Sequence, residues 1–356
     1  MTLYNNSIAL RLAYDLTVYG NLPYSALKLY PYPYESAKDA IQKLRRAGYV
    51  GVVKATNIKS LYITPAGKKA VEEALARTGE GPAEKAPVVY DPSKADRLGR
   101  INEAATLFRM AGLEDCYQTS LEFKKMMEKS PRGGDKLKYS RFLGFWEKEK
   151  DYSFVYHFGR KNVHLNKNGE TNAVVAANEL YGKYPHKLIL GNSTDTLMSI
   201  LRYSHMLETL PAGKRNKMVN VHFHIKPRIA SDSNVCFLPV IRDSALILPM
   251  MGHSLWRDYA EGVHHTFARE ELAVLGLLDC RILPPLEHLL YPDRVKKANR
   301  ALVVCYDWQE RFVKEWYADL AERKEVHVQM IETRSIADHW FGRTDRIIIP
   351  AASYQL

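Results

Sequence analysis

A helix needs about 20 consecutive apolar residues to cross a bilayer, and no uninterrupted run in this 356-residue chain approaches that length. The first residues, Met1-Thr-Leu-Tyr-Asn-Asn, have neither the basic start nor the apolar stretch of a secretion signal, so a cytoplasmic protein without a membrane partner is expected. Cysteine is scarce. Cys116, Cys236, Cys280 and Cys305 lie far apart with no CxxC pair, which excludes a disulfide framework and a cysteine zinc site; reduced, mostly buried thiols are expected. Glycine-rich phosphate loops are missing too. There is neither a P-loop nor a Gly-x-Gly-x-x-Gly run, so no nucleotide cofactor is expected, and no Gly-x-Ser-x-Gly elbow marks a serine hydrolase.

Positive charge is plentiful. The chain carries 51 Lys and Arg against 40 Asp and Glu, a net charge of +11. That excess favours polyanionic partners, either nucleic acid or an anionic membrane surface. A hydrophobic fraction of 46% is ample for a sizeable core, and the length suggests two or three domains.

The first eighty residues have the clearest pattern. Ile8, Leu10, Leu12, Leu16 and Val18 fall largely on one helical stripe that Gly20 and Asn21 end. A short helix fits Tyr24–Leu29, and the two prolines of Tyr30-Pro-Tyr-Pro-Tyr then forbid helix. In Ser36–Ala47, Ala40, Ile41 and Leu44 make an apolar stripe, with Lys38, Gln42, Lys43, Arg45 and Arg46 around it. Two β-like runs, Tyr49–Val53 and Ser60–Ile63, are joined by the polar link Lys54–Lys59. Thr64 and Pro65 supply the N-cap and first position of a further helix to about Ala76.

Helix, helix, helix, hairpin, helix is the order of a winged helix-turn-helix. A helix of about twelve residues fits the major groove, and a basic hairpin tip reaches neighbouring phosphates. The candidate DNA-binding residues are therefore Lys38, Gln42, Lys43, Arg45, Arg46, Lys54 and Lys59. Residues 1–88 hold twelve Lys and Arg against seven Asp and Glu. The bland alternative is a solvated basic face or a protein-contact module.

The run LRRAGYV, a hairpin, and then LYITPAGKKAV resembles winged-helix modules in replication-relaxation proteins of plasmids and integrative elements, a pattern that other bacterial regulators share. The resemblance implies a double-stranded DNA-binding protein of a mobile element, acting in replication, transfer or transcriptional control, as a homodimer or with other replication or transfer proteins.

Residues 79–96 hold prolines, glycines and many charges, and are expected to link residues 1–78 to an α/β domain over 97–356. Helices are expected at Arg97–Gly112, Leu121–Lys129, Glu170–Tyr181 and Thr194–Tyr203, and a hairpin from Phe142–Glu147 and Tyr152–Phe158. Further strands fit Lys187–Leu190 and Val219–Lys226, and Val235–Val240 with Ser244–Leu248 reads as a strand pair. Residues 254–279 read as helical at both ends. The strand Ala301–Tyr306, helix Gln309–Ala321 and strand Val326–Ile331 read as a βαβ unit. The expected fold is mixed α/β with a central sheet. FLGFWEKEKDYSFVYHFG followed by GETNAVVAANEL is similar in order to the core-like region of replication-relaxation proteins, which implies a degenerate restriction-endonuclease-like core.

A nuclease of that type needs an Asp on one strand and (Asp/Glu)-x-Lys on the next, to hold Mg²⁺ and assist water. Glu122-Phe-Lys124 and Glu322-Arg-Lys324 sit in helical segments, and Glu147, Glu149 and Asp151 have no lysine at the required spacing. Catalytic residues are therefore not assigned. A metal-dependent nuclease or nicking enzyme, and a ligand-responsive regulator, stand as alternatives. His222 and His224 share a strand face and could join His253, His264 or His265 at a metal, but hydrogen-bonded or solvent-facing histidines give the same pattern, and no metal is expected. Asn192–Thr194 read as a helix cap. Trp146, Tyr152, Phe154, Tyr156 and Phe158 could stack on unpaired bases, although a half-buried hairpin also alternates in this way.

Overall fold

A computed structural model describes residues 3, 7–54, 58–80, 86–128, 137, 140–148, 151–158, 167–195, 198, 235–251, 272–281, 298–343 and 353–356. The chain divides into two compact units, Met1–Ser120 and Leu121–Leu356.

The first unit opens with α1 (Ile8–Tyr19), where the Ser7 side chain accepts from the Leu10 N–H. Its buried stripe is Ala9, Leu12, Ala13 and Leu16, while Ile8, Leu10 and Val18 are only half-buried. Strand β1 (Asn21–Pro23), a 3-10 turn (Tyr24–Leu29), α2 (Tyr34–Arg46), the hairpin β2 (Val50–Lys54) and β3 (Lys59–Ile63), and α3 (Pro65–Ala76) follow. The three strands form one antiparallel sheet in the order β1-β3-β2. Full burial of a Leu or Ile stabilises by about 1.5–3 kcal/mol, and Leu12, Leu16, Ile41, Leu44, Leu61 and Ile63 are all buried here. At the start of α3, the Thr64 side chain accepts from the Gly67 N–H at 3.1 Å and donates to the Gly48 carbonyl at 2.7 Å.

The next helix, α4 (Pro92–Met110), belongs to this first unit and not to the second domain expected from the sequence. The segment preceding it is docked as well. The Asn21 side chain donates to the Val89 carbonyl at 3.1 Å and accepts from the Val89 N–H at 2.8 Å. The Ala86 N–H donates to the Thr17 carbonyl at 3.2 Å. Gly20 has φ +74°, and a Cβ there would collide with the Pro87 carbonyl oxygen. Asn102 in α4 donates to the Tyr19 and Asn21 carbonyls at 3.0 and 2.5 Å. At Gly99 a Cβ would lie 3.0 Å from Ser60 Oγ, so glycine lets α4 approach β3 closely.

A buried ion pair completes that attachment. Arg109 donates to both carboxylate oxygens of Asp15, at 2.6 and 2.5 Å, and the Tyr30 hydroxyl donates at 2.6 Å. Asp15 is fully buried. Burial alone would lower the pKa of Arg109, but its hydrogen bonds to Asp15 more than offset that and leave it raised. Strand β4 (Tyr117–Thr119) ends the unit, and Tyr117 stacks on Phe108 with centroids 4.2 Å apart.

The second unit is mixed α/β. It contains α5 (Ser120–Glu128), β5 (Gly144–Lys148), β6 (Asp151–Phe158), α6 (Lys167–Tyr181), β7 (His186–Gly191), β8 (Val235–Pro239) and α7 (Arg242–Ile247). Strand β5 is antiparallel to β6, and β6, β7 and β8 are parallel neighbours in that order. Then come β9 (Leu272–Gly276), β10 (Arg300–Tyr306), α8 (Glu310–Trp316), α9 (Ala318–Ala321), β11 (Glu325–Ile331), α10 (Thr333–Trp340) and β12 (Ser353–Gln355). Strands β9, β10 and β11 run parallel, with β12 antiparallel on β11. The β10-α8-α9-β11 segment is the expected βαβ unit, its helix interrupted at Tyr317.

Two expectations change. Residues 242–247 form a helix instead of a strand paired with β8, and the Ser244 hydroxyl donates to the Pro239 carbonyl at 2.5 Å. The apolar run Ala245–Leu248 is too short to tell a strand from a helix. Residues 272–276, expected to be helical, form β9, whose parallel pairing with β10 joins distant segments. The strand expected at 219–226 and the histidines at 222, 224, 253, 264 and 265 lie outside the described residues.

Candidate nucleic-acid interface

Helix α2 is positioned by its apolar stripe. Ala37, Ala40, Ile41 and Leu44 are buried, and at 100° per residue the opposite face is turned to solvent. Gln42, Lys43, Arg45 and Arg46 are exposed there. Glu35 lies in the first turn, and Lys43, Arg45 and Arg46 in the last, which suits the helix dipole at both ends.

Lys38 differs from the others. It is half-buried, and its ammonium donates to the Glu35 carboxylate at 3.1 Å, a hydrogen bond that raises its pKa. Asp39 is also exposed on the outer face. Positive charge is therefore concentrated in the C-terminal half of α2. Sequence reasoning counted the cations and passed over the two carboxylates beside them.

The hairpin contributes a second group. Lys54 and Lys59 are exposed and directly opposite in the β2–β3 register. Like charges facing each other across a strand pair are destabilising, and neither lysine has a carboxylate partner among the described residues. The Lys59 ammonium lies 5.1 Å from the Tyr24 ring centroid, and that of Lys28 lies 5.9 Å from Tyr34. Such contacts contribute about 0.5–1 kcal/mol at exposed sites. Lys28, Tyr24 and Tyr34 were missed in the sequence, where a Tyr-Lys spacing carries no signal until the turn at 30–33 folds back. Of the YPYPY tyrosines, Tyr30 is buried on Asp15, whereas Tyr34 is exposed.

Among the described residues, the second unit brings together no nuclease constellation of the expected kind. Glu122 and Lys124 lie on α5, and Glu322 and Lys324 fall between α9 and β11. Lys124 donates to the Ser140 carbonyl at 3.2 Å and Lys324 to the Ala298 carbonyl. Among the described residues, no group of three or more His, Cys, Asp or Glu side chains is placed to hold a metal. Burial, and then the nearby Asp307, raise the carboxyl pKa of Asp243. Cys280 and Cys305 are buried, Cys236 is half-buried and Cys116 is exposed; burial pushes the Cys236 thiol up to about 12.

Buried polar groups instead tie α6 to β6. Glu170 accepts from the Tyr156 hydroxyl at 2.8 Å and from the Arg141 N–H. Burial raises the Glu170 carboxyl, against the pull of these donors and of Lys124 and Lys187, and burial lowers Lys187. The aromatic set Trp146, Tyr152, Phe154, Tyr156 and Phe158 is buried and offers no base-stacking surface. Val155 and His157 are buried too, so β6 is covered on both faces instead of half-exposed. No known protein family, curated protein or solved structure matches the chain.

Proposed function

We propose that the first unit is a winged helix-turn-helix that binds double-stranded DNA, in a protein of a mobile genetic element that acts in replication, transfer or the control of transcription. The observation that carries the reading is the division of α2. Its apolar stripe is buried while Gln42, Lys43, Arg45 and Arg46 are exposed together, and an exposed lysine pair stands at the tip of the hairpin that follows. A helix packed by one stripe and open along the other can enter a major groove, and lysines on a protruding hairpin can reach the flanking phosphates. In this reading the second unit serves assembly, with a second copy or with replication and transfer proteins, on a degenerate restriction-endonuclease-like scaffold.

Fluorescence anisotropy on a labelled duplex tests the assignment. Each phosphate contact contributes about 0.9 to the slope of log K against log salt. Arg45→Ala with Arg46→Ala should therefore weaken binding and reduce that slope by roughly 1.8. Unchanged affinity and slope in the double variant would remove α2 from the interface. Selection from a randomised duplex library then reports the site, and a palindromic site would indicate a dimer.

A further inference from the structure

We infer that the 3-10 turn Tyr24–Leu29 forms a second phosphate-gripping edge of the same interface, with Lys28 as its contact and with Tyr24 and Tyr34 as posts that hold Lys59 and Lys28 in place. The inference rests on the DNA reading above and deepens it.

Three observations combine. Lys28 is exposed, and its ammonium sits 5.9 Å from the centroid of Tyr34, the first residue of α2. At the other end of the turn, the Lys59 ammonium sits 5.1 Å from the Tyr24 ring. Lys59 faces Lys54 across the hairpin. Lys28, Lys54 and Lys59 have no carboxylate partner among the described residues, whereas Lys38 is already engaged by Glu35. An aromatic face attracts a cation without neutralising it, so the Lys28 and Lys59 ammoniums are oriented by their rings and stay open to an anion.

The spacing suits a nucleic-acid backbone. A 3-10 helix rises about 2.0 Å per residue, which puts residues 24 and 28 about 8 Å apart. One strand of B-DNA carries a charge every ~3.4 Å along its axis. Tyr24 holds Lys59 at one end of the turn and Tyr34 holds Lys28 at the other, so the two ammoniums are separated enough to meet different phosphates of one strand. The opposed Lys54–Lys59 pair also favours an anion, because a phosphate between two ammoniums relieves their repulsion.

The test uses the full chain, two fluorescein-labelled duplexes (one of random sequence and one selected from a library), and a titration of sodium chloride. Lys28→Ala should lower the salt slope by about 0.9, so that its affinity falls roughly threefold less than wild type between about 50 and 200 mM salt. The loss at low salt should be equal on both duplexes, because a phosphate contact carries no sequence information. Lys28→Arg should restore the slope, Tyr34→Phe should leave it unchanged, and Tyr34→Leu should give part of the Lys28→Ala effect. A wild-type slope in Lys28→Ala, with wild-type melting temperature and intact duplex binding, would overturn this inference and leave the role of α2 standing. Absence of any salt-dependent duplex binding by the wild-type chain would overturn both.

Discussion

Arg109→Ala should cost the first unit about 3–5 kcal/mol. Arg109 supplies two of the three short hydrogen bonds to the fully buried Asp15 carboxylate, the third coming from Tyr30. The remaining cation, Arg11, lies 3.8 Å away on a half-exposed side chain and compensates little. Breaking a buried pair from one side leaves an uncompensated charge, which costs more than the intact pair contributes. For a unit of 120 residues, each kcal/mol shifts the melting temperature by roughly 3–5 °C, so a fall of about 10–20 °C is expected. The control is Asp15→Leu with Arg109→Met and Tyr30→Phe, which removes both charges and the hydroxyl together. Replacement of a buried pair by apolar groups is often neutral or stabilising, so the triple variant should recover most of the loss. Calorimetry or thermal circular dichroism on the 1–120 fragment and the full chain would read both. A single variant melting within about 2 °C of wild type would refute the burial of Asp15 and the docking of α4.

Three further outcomes follow from the same contacts. The fragment 1–120 should fold cooperatively and 1–78 should not, because the shorter one leaves Asp15 buried without Arg109 and bares the sheet face beneath Gly99; matching thermal transitions for the two would contradict this. Gly20→Ala should destabilise by about 1–3 kcal/mol, because the residue holds φ +74° and its new methyl would strike the Pro87 carbonyl; amide exchange should speed up at Ala86 and Val89. Tyr156→Phe should cost about 1.5–3 kcal/mol at neutral pH, the range for hydrogen bonds to charged groups. The Tyr156 bond favours the ionised form of Glu170, so the deficit should narrow as pH falls through the raised Glu170 pKa toward and below its ordinary 4.5; denaturant titrations at several pH values would show a constant deficit if the carboxylate were not the acceptor.

The local elements of the first unit were legible because each carries its own signal within a few residues. Thr64-Pro65 caps α3 as its chemistry requires, and the apolar spacing of Ala40, Ile41 and Leu44 gives the buried stripe of α2. The attachment of α4 was not legible. The partners of α4 and of the segment before it lie 68 to 94 residues away in sequence, as in Asn21–Val89, Asn102–Asn21 and Arg109–Asp15, and no periodicity reports such pairs. The composition of residues 79–96 suggests a solvated linker, yet the backbone at Ala86 and Val89 finds fixed partners. Residues 101–108 of α4 are buried without a break, polar Asn102, Glu103 and Thr106 included, which hides the one-sided stripe that marks a surface helix. In β6, alternation suggested one open face because His157 and Ser153 read as polar, whereas His157 is buried.

The docking of α4 also bears on the proposed interface. Asn21, Pro23, Ser60 and Tyr62 share one face of the sheet by the pairing register, and Gly99 brings α4 against Ser60 and Pro23 on that face. Lys59 precedes Ser60 directly, and Tyr24 follows Pro23, so the contact clamps the roots of both residues in the Lys59–Tyr24 pair. A hairpin held from behind loses less freedom when it meets a duplex than one that must be ordered on binding, and an immobilised flexible side chain costs about 0.5–1.5 kcal/mol. Gly99→Leu, which forces α4 away from β3 without touching any cation, should therefore weaken DNA binding by a few-fold, mainly through faster dissociation, with the salt slope unchanged. A reduced slope in that variant would mean that phosphate contacts were lost outright, and the clamp would then be required to form the interface and not only to stiffen it.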